Sequence, residues 1–346
     1  MTSAALRVGV IGVGSMGTDH AERLAHRTAG VVLAGISDPD SARAAALADR
    51  LGTYVHDDPM ALIASPDVDA VVIASPGFVH AEQVLACLAH GTHALCEKPM
   101  TMDDTSSLGV VEAEAALGRR LVTVGFMRRF DPEYVAVKAA LASGAYGRLL
   151  LLHNTHRNRS VPNADFRSEM IVRDTLVHEV DASRFLFGEE VAEVTVLSPA
   201  PTSHAGPGVV DPQVAIFRMS GGGLVTNEVF VNSQVGYEVR FEAVAERGSL
   251  TAGLASSGVL ATRVAAGEGT WGGVVDDDYR TRFARAYDLE VQAWADAVRA
   301  GTCVGPSAWD GYAATVITSA TVEALESGHV IDTDLKPRPA LYGGTA

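Results

Sequence analysis

The sequence predicts an α/β protein, with a doubly wound parallel sheet first and then an α+β part built on a large, mostly antiparallel open sheet. Three observations carry this reading. An apolar, β-branched run over residues 6–11 ends in Gly12-Val13-Gly14-Ser15-Met16-Gly17 and opens a helical pattern over 18–27. Strand-like and helix-like segments then alternate to about residue 126, as in parallel strands joined by helices. From residue 191 to 245, strands follow one another without helices, as in antiparallel or mixed sheets.

Taken in order, the first glycine permits a tight turn, the second admits a pyrophosphate to the backbone, and the third lets the helix pack close to the strand. The helix then offers free N–H groups to phosphate. The second strand, 31–37, ends in Asp38, at the spacing of an acid that binds ribose hydroxyls. A glycine loop of purely structural use is the competing reading. Asp38 would repel a 2′-phosphate, and Pro39 and Asp40 follow it rather than an arginine, so NAD is expected over NADP. A helix over 41–51, a short strand over 54–56 and a fourth strand over 70–74 lead to Ser75-Pro76-Gly77. A helix over 79–90, a strand over 93–96, a helix over 102–117 and a sixth strand over 121–126 complete a Rossmann-type NAD-binding domain, residues 1–125. Its candidate cofactor-binding residues are Gly12, Gly14, Ser15, Met16, Gly17, Asp38, Ser75, Pro76, His80, Glu97 and Lys98.

The second domain, residues 126–337, is expected to open with a helix over 132–142. Strands follow over 148–153, 191–197, 213–219, 224–231 and 237–245. Gly221-Gly222-Gly223 reads as a hairpin turn. Two helices, 282–299 and 308–326, come last, and the glycine-rich stretch 266–273 reads as a mobile loop.

Composition narrows the function classes. A chain of 346 residues is long enough for two cores. A net charge of −15, with no basic cluster, argues against a nucleic-acid or anionic membrane face. No apolar run reaches spanning length, and the N-terminus reads as a strand rather than a signal peptide. Cys87, Cys96 and Cys303 are scattered, giving neither a disulfide framework nor a metal-spaced pair. A reducing cytoplasm is the expected compartment.

Two segments carry chemistry. Leu95-Cys96-Glu97-Lys98-Pro99-Met100 ends an apolar strand, so Lys98 stands at the carboxyl edge of a parallel sheet, where such sheets bind ligands. A surface Glu-Lys turn stopped by proline is the alternative. In the segment 169–181, read as a regular helix, Asp174, His178 and Asp181 share a face at i, i+4 and i+7, and Phe185 continues it. Met170, Ile171, Leu176, Val177 and Val180 can face the core. The row binds a ligand, or it is a satisfied structural pair, or it holds a divalent metal. The single imidazole weakens the metal reading, and no metal is expected. Together the segments suit alcohol oxidation: His178 takes the hydroxyl proton, a carboxylate one turn away orients it, and Lys98 steadies the alkoxide.

The chain resembles the glucose–fructose oxidoreductase / inositol dehydrogenase family over nearly its whole length. The matching features are the glycine fingerprint with Asp38, Glu97-Lys98-Pro99, Gly125-Phe126-Met127-Arg128-Arg129-Phe130 and Thr155-His156-Arg157-Asn158. Further matches are residues 174–181, Asp211-Pro212-Gln213, Val231-Asn232 with Gly236-Tyr237, Ala286-Tyr287-Asp288 and residues 305–312. The resemblance implies that Lys98, Asp174 and His178 are catalytic. It also implies that Met127, Arg128, His156, Asn158, Asp174, His178, Asp181 and Tyr237 bind a polyol, with Tyr287 a further neighbour. A cis peptide before Pro99 and a homotetramer formed through the open sheets are implied as well. The activity implied is NAD-dependent oxidation of myo-inositol to 2-keto-myo-inositol, the substrate being an unphosphorylated cyclitol, although Arg128 could hold an anion. The alternatives are a scyllo-inositol or other sugar dehydrogenase, and a dinucleotide-binding regulator without turnover. The presence of both Lys98 and His178 speaks against the last. The stretches 163–168 and 267–273 follow no pattern that can be assigned.

Overall fold

The computed structural model describes residues 5–161, 165–234, 236–253, 276 and 278–343. The chain divides into two compact units. The first comprises Met1–Phe130, Ala286–Val316 and Leu335–Ala346, and the second comprises Asp131–Arg285 and Ile317–Asp334. This differs from the contiguous division 1–125 and 126–337. Residues 126–130, 286–316 and 335–337, which the sequence places in the second domain, belong to the first unit.

The first unit runs β1 (Leu6–Ile11), α1 (Ser15–His26), β2 (Val31–Ser37), α2 (Ser41–Leu51), α3 (Pro59–Ile63), β3 (Ala70–Ile73), α4 (Gly77–His90), β4 (His93–Glu97), α5 (Asp104–Leu117) and β5 (Val122–Gly125). Its sheet has five parallel strands in the order β2-β1-β3-β4-β5. β3 and β5 are buried at every position, as strands covered on both faces must be; β3 is accordingly an unbroken apolar run, while β5 includes Thr123, whose hydroxyl donates to the Val304 carbonyl. Residues 54–56 add only a bridge, Ile36 to Val55, so the expected sixth strand is the fifth. The core joins Val8, Val10, Ile36, Val72 and Leu95 to Val291 and Trp294. The last two lie on α9 (Tyr279–Arg299), which explains why that part of the chain returns to this unit.

The second unit begins with α6 (Pro132–Ala142), whose N-terminus is capped by Asp131 accepting from the backbone N–H groups of Glu133 and Tyr134. β6 (Leu149–Arg157) follows, then a single turn, α7 (Ser168–Met170), a π-helical segment, Ile171–Leu176, and α8 (Val177–Phe187). β7 (Val191–Leu197), β8 (Gln213–Met219), β9 (Leu224–Phe230), β10 (Glu238–Ala245) and β11 (Gly248–Ala252) precede α9 and α10 (Ala308–Ser327), and β12 (Ile331–Asp332) is last. The seven strands are ordered β11-β10-β6-β9-β8-β7-β12. Among the described residues of this sheet, only β6 and β9 pair in parallel. Burial alternates along the strands: β8 buries Ala215 and Phe217, β9 buries Val225, Asn227 and Val229, and β10 buries Val239, Phe241 and Ala243. This is the pattern of a sheet covered on one face. β6 runs to Arg157 rather than ending at 153, and therefore carries His156 within the sheet.

Two helical expectations change. Residues 169–181 are not one regular helix, because the π-helical segment widens the turn by a residue before α8 starts. α1 begins at Ser15, so its first turn includes the fingerprint residues. The stretches 163–164 and 266–273 lie outside the described residues.

Candidate active site

The first unit presents a cradle at the carboxyl ends of β1 and β3, where the strand order reverses. Gly12 has φ +81°, and a Cβ there would stand 2.5 Å from the Ser75 amide nitrogen. A Cβ on Gly17 would lie 1.7 Å from the Gly12 carbonyl oxygen, whereas one on Gly14 would meet nothing within 4 Å. The turn and the helix packing thus demand glycine at the outer two positions, and the middle one faces open space suited to a phosphate. Side chains of Asp40, Asp58, Asp103 and Asp131 cap α2, α3, α5 and α6. α1 and α4 have no side-chain cap. These two follow β1 and β3, and their first N–H groups suit an anion.

Asp38 ends β2, with 9% of its surface exposed. Its Oδ2 accepts from the Val13 N–H at 2.7 Å. Its Oδ1 accepts from the Asp40 N–H and from Arg43 Nη2, each at 2.8 Å. Burial opposes ionisation, but the bonds from Arg43, Val13 and Asp40 outweigh it and hold the carboxyl below its ordinary range. The absence of an arginine immediately after Asp38 is therefore only a sequence fact. The first turn of α2 brings Arg43 back onto the carboxylate.

Ser75 donates to Gln83, and His80 lies between two carbonyls, with Nε2 2.7 Å from Ser75 O and Nδ1 2.8 Å from Pro99 O. Both ring nitrogens of His80 are thus engaged, tying the β3–α4 loop to the Lys98 turn. Glu97 is buried at the end of β4. Its Oε1 is 2.7 Å from His20 Nε2, and its Oε2 accepts from the Lys98 N–H at 3.2 Å. Burial works against the Glu97 carboxylate, yet His20 and Lys98 bring it below its usual range. Lys98, half-buried, follows directly, and its bond to Pro99 is cis. Met127 and Arg128, buried in the 3-10 turn after β5, also belong to this unit, as does Tyr287, which is edge-on to His20.

The second unit gathers the other predicted residues. His156 points to the covered face of the sheet from β6, and its Nδ1 lies 3.1 Å from both carboxylate oxygens of Glu179 on α8. The rings of His178 and Tyr237 stand 6.4 and 5.4 Å from the His156 ring, centroid to centroid. Asp181, on α8 with His178, is buried, while Asp174, in the π-helical segment, is exposed. Asn158 lies just past β6. Its backbone is pinned by a bond to Phe230 O and by two donors from Ser233. Its side-chain Oδ1 is buried with no hydrogen-bond partner, as an acceptor kept for a ligand hydroxyl would be. Fully buried Asp211 accepts from the backbone of Val231 and from the backbone and side-chain nitrogens of Asn232. Among the described residues, no three acids, histidines or cysteines are grouped to hold a metal.

Sequence reasoning assigned no role to Glu179, Asp211, His20 or Arg43. Glu179 and Asp211 sat inside quoted motifs, but their partners are remote in the chain. Arg43 alone carried a local signal, five residues after Asp38 on a predicted helix start.

Residues 6–126 match the oxidoreductase family with an NAD-binding Rossmann fold, and residues 134–251 match the GFO/IDH/MocA C-terminal domain. The inositol 2-dehydrogenase of Mycolicibacterium smegmatis is 49% identical over 346 residues, covering 98% of this chain and 99% of that one. The inositol 2-dehydrogenase of Streptomyces avermitilis is 48% identical over 342 residues, covering 99% and 98%. The crystal structure of Lactobacillus casei myo-inositol dehydrogenase in complex with NAD(H) and myo-inositol superposes with a TM-score of 0.91 at 30% identity, covering 98% and 99%. A shared fingerprint, a shared second-domain pattern and identity along the whole length lead to one conclusion: the chain belongs to the GFO/IDH/MocA oxidoreductase family.

Proposed function

We propose that the chain is an NAD-dependent inositol 2-dehydrogenase that oxidises myo-inositol to 2-keto-myo-inositol. The observation that carries this is the buried polar wall of the second unit. His156 paired with Glu179, His178, Asp181, Tyr237 and the open acceptor of Asn158 offer directional partners to a ligand with a hydroxyl on every carbon. Such a wall rejects ligands that leave its groups unpaired. Identity of 48–49% to inositol 2-dehydrogenases over 98–99% of the chain supports the same substrate class.

The first unit fits the dinucleotide through Gly12, Gly14, Gly17 and the uncapped ends of α1 and α4, with Ser15 and Met16 in the first turn. Bound NAD supplies the hydride acceptor. In this reading His178 takes the hydroxyl proton at C2 as the carbonyl forms, and Asp174 orients that imidazole. Lys98 offsets the negative charge that grows on oxygen. Met127, Arg128, His156, Asn158, Asp181 and Tyr237 hold the ring.

The outward face of the second sheet carries Leu151, Val214, Ile216 and Phe230 beside an ion ladder of Arg157 with Glu228 and Glu238, and Arg240 with Glu238. An apolar strip edged by charge supports assembly into a homotetramer through this sheet, acting in cytoplasmic inositol catabolism. Light scattering on the purified protein tests the assembly. NADH formation with myo-, scyllo- and chiro-inositol, glucose and xylose tests the substrate. Highest kcat/KM on myo-inositol is expected, and activity confined to an acyclic or phosphorylated alcohol would overturn the reading.

A further inference from the structure

We infer that Arg43 is a second determinant of cofactor choice, a guanidinium held out of use by Asp38 and Asp40 and able to clamp a 2′-phosphate once Asp38 loses its charge. The inference rests on the dinucleotide reading of the first unit, not on the identity of the alcohol.

The pairing is specific. Arg43 Nη2 donates to Asp38 Oδ1 at 2.8 Å, and Nη1 stands 3.8 Å from Asp40 Oδ2. Asp40 also accepts the Arg43 backbone N–H at 3.0 Å, as the cap of α2. The arginine is therefore anchored at the helix start, while its side chain is 47% exposed. An ionised carboxylate has about four acceptor positions. Three on Asp38 are filled: two on Oδ1 by Asp40 N and Arg43, and one on Oδ2 by Val13 N. One remains, so Asp38 can receive a single ribose hydroxyl without releasing a donor. A phosphate at the same place meets a negative charge and an arginine already committed to carboxylates.

Removing that charge changes both terms together. The Val13 N–H still finds an acceptor in an asparagine at position 38, and the guanidinium fork gains a better anion in the phosphate, which it can bind through two parallel bonds. Discrimination against the phosphorylated cofactor thus depends on occupation of Arg43 as well as on repulsion by Asp38.

The test is direct binding, by NADH and NADPH fluorescence titration, of the wild type, Asp38→Asn, Asp38→Asn/Arg43→Ala and Asp38→Asn/Arg43→Lys. Asp38→Asn should bind NADPH about tenfold tighter than the wild type, as a charge-assisted pair gained at a partly exposed site implies. The double variant with alanine should lose that gain, and lysine should restore only part of it because it lacks the fork. Asp38→Ser provides the same comparison if the asparagine protein does not fold. Equal NADPH affinity with and without Arg43 would overturn the inference, leaving repulsion by Asp38 as the whole effect. So would an Asp38 variant that binds NADH but shows no tightening for NADPH. Neither readout depends on turnover, so a failed substrate assay leaves this test standing.

Discussion

Exchanging Glu179 for glutamine removes a charge from one of the most enclosed polar contacts of the second unit. Glu179 and His156 expose 1% and 2% of their surfaces, and one imidazole nitrogen lies 3.1 Å from both carboxylate oxygens. Glutamine keeps the shape but offers one acceptor and places an amide donor where the second oxygen was. The loss is the excess of a charge-assisted bond over a neutral one, about 1–1.5 kcal/mol, or roughly tenfold. Leucine, by contrast, strands a buried imidazole donor, at about 1–3 kcal/mol. If the pair serves to aim the His156 ring, Glu179→Gln should raise KM for inositol roughly tenfold with a smaller change in kcat, and Glu179→Leu more. Both should leave the Kd for NADH, a property of the first unit, at its wild-type value. Steady-state kinetics in inositol and in NAD, a fluorescence titration and a melting curve on each variant provide the test. A glutamine variant with a lower Tm but an unchanged inositol KM would refute the reasoning and make the pair purely structural.

Four other substitutions have defined outcomes. His178→Ala and Lys98→Ala should each lower kcat about a hundredfold to ten-thousandfold while still binding NADH, and near-normal turnover across the pH range would remove His178 from proton transfer. Asn158→Ala should raise KM for inositol several-fold and leave KM for NAD in place, because the orphan acceptor is lost while the backbone bonds remain. Glu114, buried behind β5, is pushed up from its ordinary 4.5 by burial, against the backbone donors of Leu121 and Val122 and the Tyr342 hydroxyl. A carboxyl raised by folding contributes stability that is full below its unfolded value and lost as pH climbs through the folded value. Wild-type stability relative to Glu114→Gln should therefore fall as pH rises above 4.5, as urea unfolding at several pH values can measure.

Much of the first unit was legible because its signals are local. The fingerprint and the aspartate at the end of β2 lie within forty residues, the alternation of elements continues from there to β5, and each maps onto one structural event. The boundary of the unit was not legible. The apolar face of α9 states that it packs, not on which sheet, and only the placement of Val291 and Trp294 in the β1–β4 core decides it. The π-helical segment was equally hidden, since Ile171-Val172-Arg173-Asp174-Thr175-Leu176 contains no glycine or proline to mark a change of helix type. In the site, residue types were readable but partnerships were not. Glu179 meets a histidine 23 positions earlier, and Asp211 meets an asparagine 21 positions later, distances at which periodicity is silent.

β6 lies between β10 and β9 in the interior of its sheet, paired antiparallel to one and parallel to the other. His156 faces the covered side, and Arg157, its next neighbour, faces outward into the ion ladder. Because side chains alternate, a slip of one position along this strand would swap the two faces wholesale. Insertions and deletions here would scramble ligand recognition and the outer surface in a single step. The strand can be tuned only by substitution, one residue at a time, and each change is confined to the face it already occupies.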